Sequence, residues 1–420
     1  MAIQRRILQN GIRVVVERMP SVRSAGLGVW VNVGSRDESP EEHGVSHFIE
    51  HMFFKGTRRR SAKVIAQEVD AMGGDMNAFT SRELTTFYIK VLDEQFSRGA
   101  EILADVFRHS RFDPRDIRKE KQVISEEIRM VEDDPEDLVH DLHIGRAWRK
   151  DPLGRTILGT QESIASFSRG DLTGYLGKHY RPKNIVIAVA GNVNPENVFR
   201  RMDRLFGTIP EQDEITERKQ ALPADLGVCI RRKSLEQTHL CLGVPGVSIT
   251  DKRRMAVQLL SVLLGESASS RLFQEVRERR GLAYSIYSHA SGFRDTGLFT
   301  IYAASRPGQA VVVLKLIASE LKRFLRDGVP PEDLRKAKNH LKGSWMLGME
   351  STASRMSKLA KDEIYFGRSV PLKEILDEAD RVSKTDLSDA AQSLFGGARL
   401  SLTAVGPLTS KNIPDALLSL

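Results

Sequence analysis

Two stretches of this chain line up without a gap. Phe112-Asp113-Pro114-Arg115-Asp116-Ile117-Arg118-Lys119-Glu120-Lys121 matches Val329-Pro330-Pro331-Glu332-Asp333-Leu334-Arg335-Lys336-Ala337-Lys338, and each follows a long amphipathic helical pattern. A unit present twice must build the same kind of core twice, which binds the fold to two similar halves. With 420 residues, 40% of them apolar, there is chain enough for two cores. The expected class is α+β: two duplicated domains, each a mixed, mostly antiparallel sheet covered by helices. A charged, proline-containing stretch between Pro210 and Gly227 is the best place for a linker. The expected boundaries are therefore a first domain over 1–210, a linker over 211–227 and a second domain over 228–420.

The first half opens with strand patterns. Ile7 to Val16 reads as two strands around an Asn10-Gly11 turn, and Leu27 to Val33 as a third with apolar odd positions. Ser39-Pro40-Glu41-Glu42 has the marks of a helix start, and Gly56 of a stop. Between them lies His47-Phe48-Ile49-Glu50-His51. On a helix, His47 and His51 are one turn apart with Glu50 near both, so all three share a face. Two neutral imidazoles from one rigid helix, with a third ligand from elsewhere, make a catalytic zinc site, and Glu50 is then free to act as the base. The order His-x-x-Glu-His inverts the commoner zinc-protease motif.

From Pro114 to about Val131 the apolar residues Ile117, Val123, Ile124, Ile128 and Val131 form one helical stripe. Glu120 and Glu127 fall within or beside that stripe, whereas Glu126 points to the polar side. Inward carboxylates need a cation or buried donors. Glu127 is accordingly the third metal ligand, and Glu120 orients it or a histidine. His140 and His143, at i and i+3, have no inward acid beside them and read as surface or core-edge residues. In the second copy, Leu264 and Ala268 stand opposite the two histidines, and Ala337 and Ser344 opposite the two glutamates. That copy keeps the frame without the ligands. Its helix from Ser269 ends at Gly281, and Tyr284 then begins a strand, so Arg277 and Tyr284 meet at one junction where they can bind a carbonyl oxygen.

Composition excludes several classes. The formal charge of +8 is dispersed among acids without an aromatic-interleaved basic track, which argues against a nucleic-acid partner. No apolar run approaches the roughly 20 residues of a membrane span, and no signal-peptide core follows Met1, so a cytoplasmic protein is expected. Cys229 and Cys241 give no disulfide framework.

His47 through Thr57, Asn77-Ala78-Phe79-Thr80 and Val123-Ile124-Ser125-Glu126-Glu127 together resemble the pitrilysin and mitochondrial processing peptidase family of inverted zincins, over nearly the whole chain. The resemblance implies one Zn2+ per chain on His47, His51 and Glu127, with Glu50 as general base and Glu120 assisting. It implies that Asn77, Ala78 and Phe79 lie on a strand that pairs with substrate, and that Arg277 and Tyr284 form the family's distal-domain pair. It also implies a clam-like chamber. The expected activity is zinc-dependent endopeptidase cleavage of unfolded peptides or presequence-like segments. The noncatalytic alternative is a core or peptide-holding scaffold of the same architecture. Both motifs in one short chain point to a homodimer.

Overall fold

The computed structural model describes residues 3–211, 218–409 and 413–420. It contains two compact units, and each is assembled from separate pieces of sequence. The first holds Met1–Arg129, Arg155–Lys219 and Gly348–Val370; the second holds Met130–Gly154, Gln220–Leu347 and Pro371–Leu420.

In the first unit six strands, β1 (Ile3–Ile7), β2 (Arg13–Arg18), β3 (Ser24–Val31), β4 (Asp75–Thr80), β5 (Thr85–Leu92) and β6 (Ile185–Gly191), form a sheet. Their order is β1-β2-β6-β3-β5-β4. Only β2 and β6 are parallel; the other neighbours are antiparallel. The β1–β2 reversal is the Asn-Gly turn, with Gly11 at φ +91 and Asn10 Oδ1 accepting the Ile12 N–H at 3.3 Å. On one face Val14, Leu27, Val29 and Phe87 pack beneath helices that include Val45–Phe53, Phe96–His109 and Pro195–Phe206. On the other face Val15, Trp30, Val186 and Ala188 pack against Met356, Leu359 and Ile364 of the helix Thr352–Phe366. The odd positions of β3 thus face the main core, as their alternation indicates, while Gly26 and Gly28 on the other face leave room where that helix presses close. A Cβ on Gly28 would stand 2.7 Å from Trp30 Nε1 and 3.0 Å from Met356 Sδ.

The second unit repeats the plan. Strands β7 (Val228–Arg232), β8 (Thr238–Pro245), β9 (Ala283–Gly292), β10 (Gly297–Ser305) and β11 (Ser401–Gly406) are ordered β7-β11-β8-β10-β9, the order of β2-β6-β3-β5-β4. Again one pair, β7 with β11, is parallel. Leu240, Phe299, Ile301 and Leu402 face the main core, and Cys241, Tyr302 and Val405 pack with Val139 of the helix Pro135–Ala147.

The repeated helices Pro114–Asp133 and Pro331–Gly348 are each followed by a helix that covers the other half's sheet. The units therefore depart from the contiguous division 1–210 and 228–420. The physical reason is that each sheet is apolar on both faces, and its own half supplies cover for one only. Of the expected linker 211–227, residues 212–217 lie outside the described residues. Arg218 is bound into the first unit by Asp37 at 2.6 Å and Glu83 at 3.5 Å. Leu222 is held in the second, its carbonyl accepting from Trp148 Nε1 at 3.2 Å.

Candidate metal centre

The ligand helix runs Val45–Phe53, beginning later than Ser39–Glu42 implies. Gly44 adopts a left-handed φ of +92, which breaks any helix arriving from Ser39. The residues Ser39–Glu42 instead close their own turn, with the Glu42 N–H on the Ser39 carbonyl at 3.1 Å. A glycine cap has no side chain to accept the free N–H groups of the first turn. Glu38 accepts them, Oε2 from Gly44 N at 2.8 Å and Oε1 from Ser46 N at 2.9 Å. Burial pushes its carboxyl up to about 8, against the pull of those two donors. Gly56, at φ +115, lies just past the helix end.

His47, His51 and Glu127 offer ligand atoms that all lie within 4.8 Å of one another, and among the described residues this is the one such group. His47 Nε2 is 3.7 Å from Glu127 Oε1, and His51 Nε2 is 3.5 Å from Glu127 Oε2. Tetrahedral bonds of about 2.1 Å would set ligand atoms roughly 3.4 Å apart, so two nitrogens and a carboxylate at these separations fit zinc. Glu120 is buried on the same helix as Glu127, Pro114–Asp133. Its Oε2 is 3.1 Å from His51 Nδ1 and its Oε1 is 2.8 Å from Lys55 Nζ. With Nδ1–H donated to Glu120, His51 is oriented so that Nε2 faces Glu127, where a cation would replace its proton. Val123, counted in the apolar stripe from sequence, is 48% exposed, at the margin of that stripe.

Charge in this cluster is finely set. Burial opposes a proton on His51, but hydrogen bonds to Glu120 and Glu127 outweigh it and raise the imidazole to about 9. Burial and the neighbouring His51 lower His47 to about 4. The hydrogen bond to His51 lowers Glu127. His51 thus keeps its proton, and the Nε2 proton facing Glu127 stands where a divalent cation would bind.

Glu50 is half-buried and accepts a hydrogen bond from Thr80 Oγ1 at 2.6 Å. Burial raises its carboxyl, with Thr80 pulling the other way. Thr80 ends β4, which lies at the edge of the sheet beside β5 alone. On that strand Asn77 Oδ1 accepts the Ala78 N–H at 2.8 Å. Phe79 meets Trp30 edge-on with centroids 5.5 Å apart, while Met76 and Ala78 pack toward the main core. Contact by residues 77–79 with an extended chain would therefore run through the backbone. Lys55, Thr80 and Glu38 escape the sequence reading. Lys55 has a weak signal, standing one helical turn beyond His51, whereas the other two depend on tertiary neighbours.

In the second unit Arg277 sits in a π-helical turn, Phe273–Glu278, and Gly281 at φ +61 reverses the chain into β9. The guanidinium lies 4.9 Å from the Tyr284 ring centroid and 4.7 Å from that of Phe273. Tyr284 is 76% exposed. The pair is thus brought together with its polar ends at the surface. His140 bonds Tyr287 OH at 2.8 Å and the buried His143 bonds Thr403 Oγ1 at 3.1 Å. Both serve the packing of their helix. Opposite His47 and Glu120, Leu264 and Ala337 are buried core residues, whereas Ala268 and Ser344, opposite His51 and Glu127, are exposed. Both cysteines are free, and no helix among the described residues is long and apolar enough to cross a membrane.

Comparison with known proteins also finds two matched stretches, which meet near residue 165, inside the first unit. Residues 13–161 match the family described as "Insulinase (Peptidase family M16)", and residues 166–341 match "Peptidase M16 inactive domain". A Bacillus subtilis (strain 168) protein named "Uncharacterized zinc protease YmxG" is 43% identical over 395 residues, 94% of this chain and 96% of its own. The "Uncharacterized zinc protease SCO5738" of Streptomyces coelicolor is 40% identical, covering 97% of this chain and 90% of its own. Among solved structures, a protease from Helicobacter pylori superposes with a TM-score of 0.90 at 24% identity, over 97% of this chain and 99% of that one. At that identity the superposition speaks for the fold alone. The curated relatives span both halves at an identity that leaves no doubt of descent, and the chain belongs to the pitrilysin-type peptidase family M16.

Proposed function

We propose that this protein is a zinc-dependent endopeptidase acting on unfolded peptides or presequence-like segments. The observation that carries the reading is the tie between centre and edge strand: Glu50, next to the ligand cluster, is hydrogen-bonded to Thr80 at the end of β4. His47, His51 and Glu127 would hold the zinc, one ion per chain, which would supply Lewis acidity and lower the pKa of water toward neutrality. Glu50, its carboxyl raised by burial, takes the proton of the attacking water and returns it to the leaving amine. An extended peptide adds to the free edge of β4 along Asn77, Ala78 and Phe79, so selection is loose in side chain and strict in foldedness. Arg277 and Tyr284 donate to the substrate carbonyl as it gains charge. The same reading takes the protein as a cytoplasmic homodimer without nucleic-acid or membrane partners.

A cleavage profile on an unfolded peptide library, with and without chelator, tests the reading. Chelator-sensitive cleavage of unfolded peptides, with folded proteins spared, is the expected result. No cleavage on adding zinc would favour the noncatalytic scaffold that shares this architecture.

A further inference from the structure

We infer that Glu38 is a positioning residue of the metal centre, holding the first turn of the ligand helix, and so His47, at its distance from Glu127. The inference rests on the zinc reading above. His51 is oriented from outside its helix by Glu120, which Lys55 holds in turn. His47 has no such support: its Nδ1 is buried without a hydrogen-bond partner among the described residues. Its place is therefore set by the backbone that carries it. That backbone is the opening turn of a helix only nine residues long. Other helices of this chain fasten their own first turns with a cap side chain, as Ser61, Asp134, Thr160, Ser168 and Asn194 do. The ligand helix has Gly44 there, and both oxygens of Glu38 replace the missing cap.

Glu38 is itself built in. It is 3% exposed, and its carbonyl oxygen accepts from Arg155 Nη1 at 2.7 Å. A second brace, Ser46 Oγ to Tyr175 OH at 3.0 Å, touches the same turn through a side chain and not through the free N–H groups. Removing it should leave the helix start in place.

The test is zinc affinity by chelator competition, together with the visible spectrum of the cobalt-substituted protein. Glu38→Gln replaces one of two acceptor oxygens with an NH2 group facing an N–H. It should weaken zinc binding about tenfold, at the lower end for partners outside the ligand set, and alter the cobalt band intensity. Tyr175→Phe should bind zinc within about twofold of the unaltered protein. Equal affinity and an unchanged cobalt spectrum in folded Glu38→Gln would overturn the inference and leave the zinc reading intact. Failure of the unaltered protein to bind zinc would overturn both. If Glu38→Gln does not fold, amide exchange in the unaltered protein decides. Zinc should slow exchange at Gly44 and Ser46, and identical rates with and without zinc would refute the coupling.

Discussion

His51 sets the charge balance of the centre. Its imidazole titrates near 9 because the bonds to Glu120 and Glu127 outweigh its burial, against an ordinary value of 6.5. The folded value lies above the unfolded one, so this stabilisation of the metal-free protein is complete below pH 6.5 and is lost as pH rises through about 9. A cation entering at pH 7 must displace that proton. Zinc binding at pH 7 should release about one proton, and affinity should climb with pH until it levels near 9. Calorimetry in buffers of different ionisation enthalpy measures the proton count, and a count of zero would show that His51 is already neutral. At this scale the sequence was legible where helical spacing decides the outcome. His47, His51, Glu120 and Glu127 fall on shared faces by periodicity alone. Glu38 was illegible because its role follows from Gly44 and the later helix start, and Thr80 because a strand's neighbour is a tertiary fact.

The edge strand β4 and the covering helix Thr352–Phe366 are the elements on which the account of the first unit depends. Ala78→Pro removes an edge N–H at a position where proline is tolerated, since β4 pairs on one side only. It should raise the peptide KM about tenfold with zinc content unchanged, as steady-state kinetics and metal analysis would report. Gly28→Val should push against Trp30 and Met356 and loosen the helix from β3 and β6. The expected cost is about 1–3 kcal/mol in denaturant unfolding, with the metal ligands untouched. Strands β2 and β3 could be read from the Asn-Gly turn and from alternation. That β3 is buried on both faces could not, because its second cover arrives from a helix far along the chain, whereas the continuous apolar run of β6 does mark a buried strand.

For the molecule as a whole, the duplication is the deepest constraint. It specified two sheets of one strand order and a second copy stripped of ligands, with Leu264 and Ala337 now in its core. It could not say which sheet the helices Pro135–Ala147 and Thr352–Phe366 would cover, since an amphipathic stripe names no partner. The central claim is that one half holds zinc on His47, His51 and Glu127 while Glu50 moves the proton. It is tested most directly by measuring bound zinc and peptide turnover together in the unaltered protein and in Glu50→Gln. The account predicts about one zinc per chain in both, with turnover in the variant reduced by roughly 10²–10⁴-fold. Full turnover in Glu50→Gln, or turnover in the unaltered protein that survives complete removal of zinc, would contradict it.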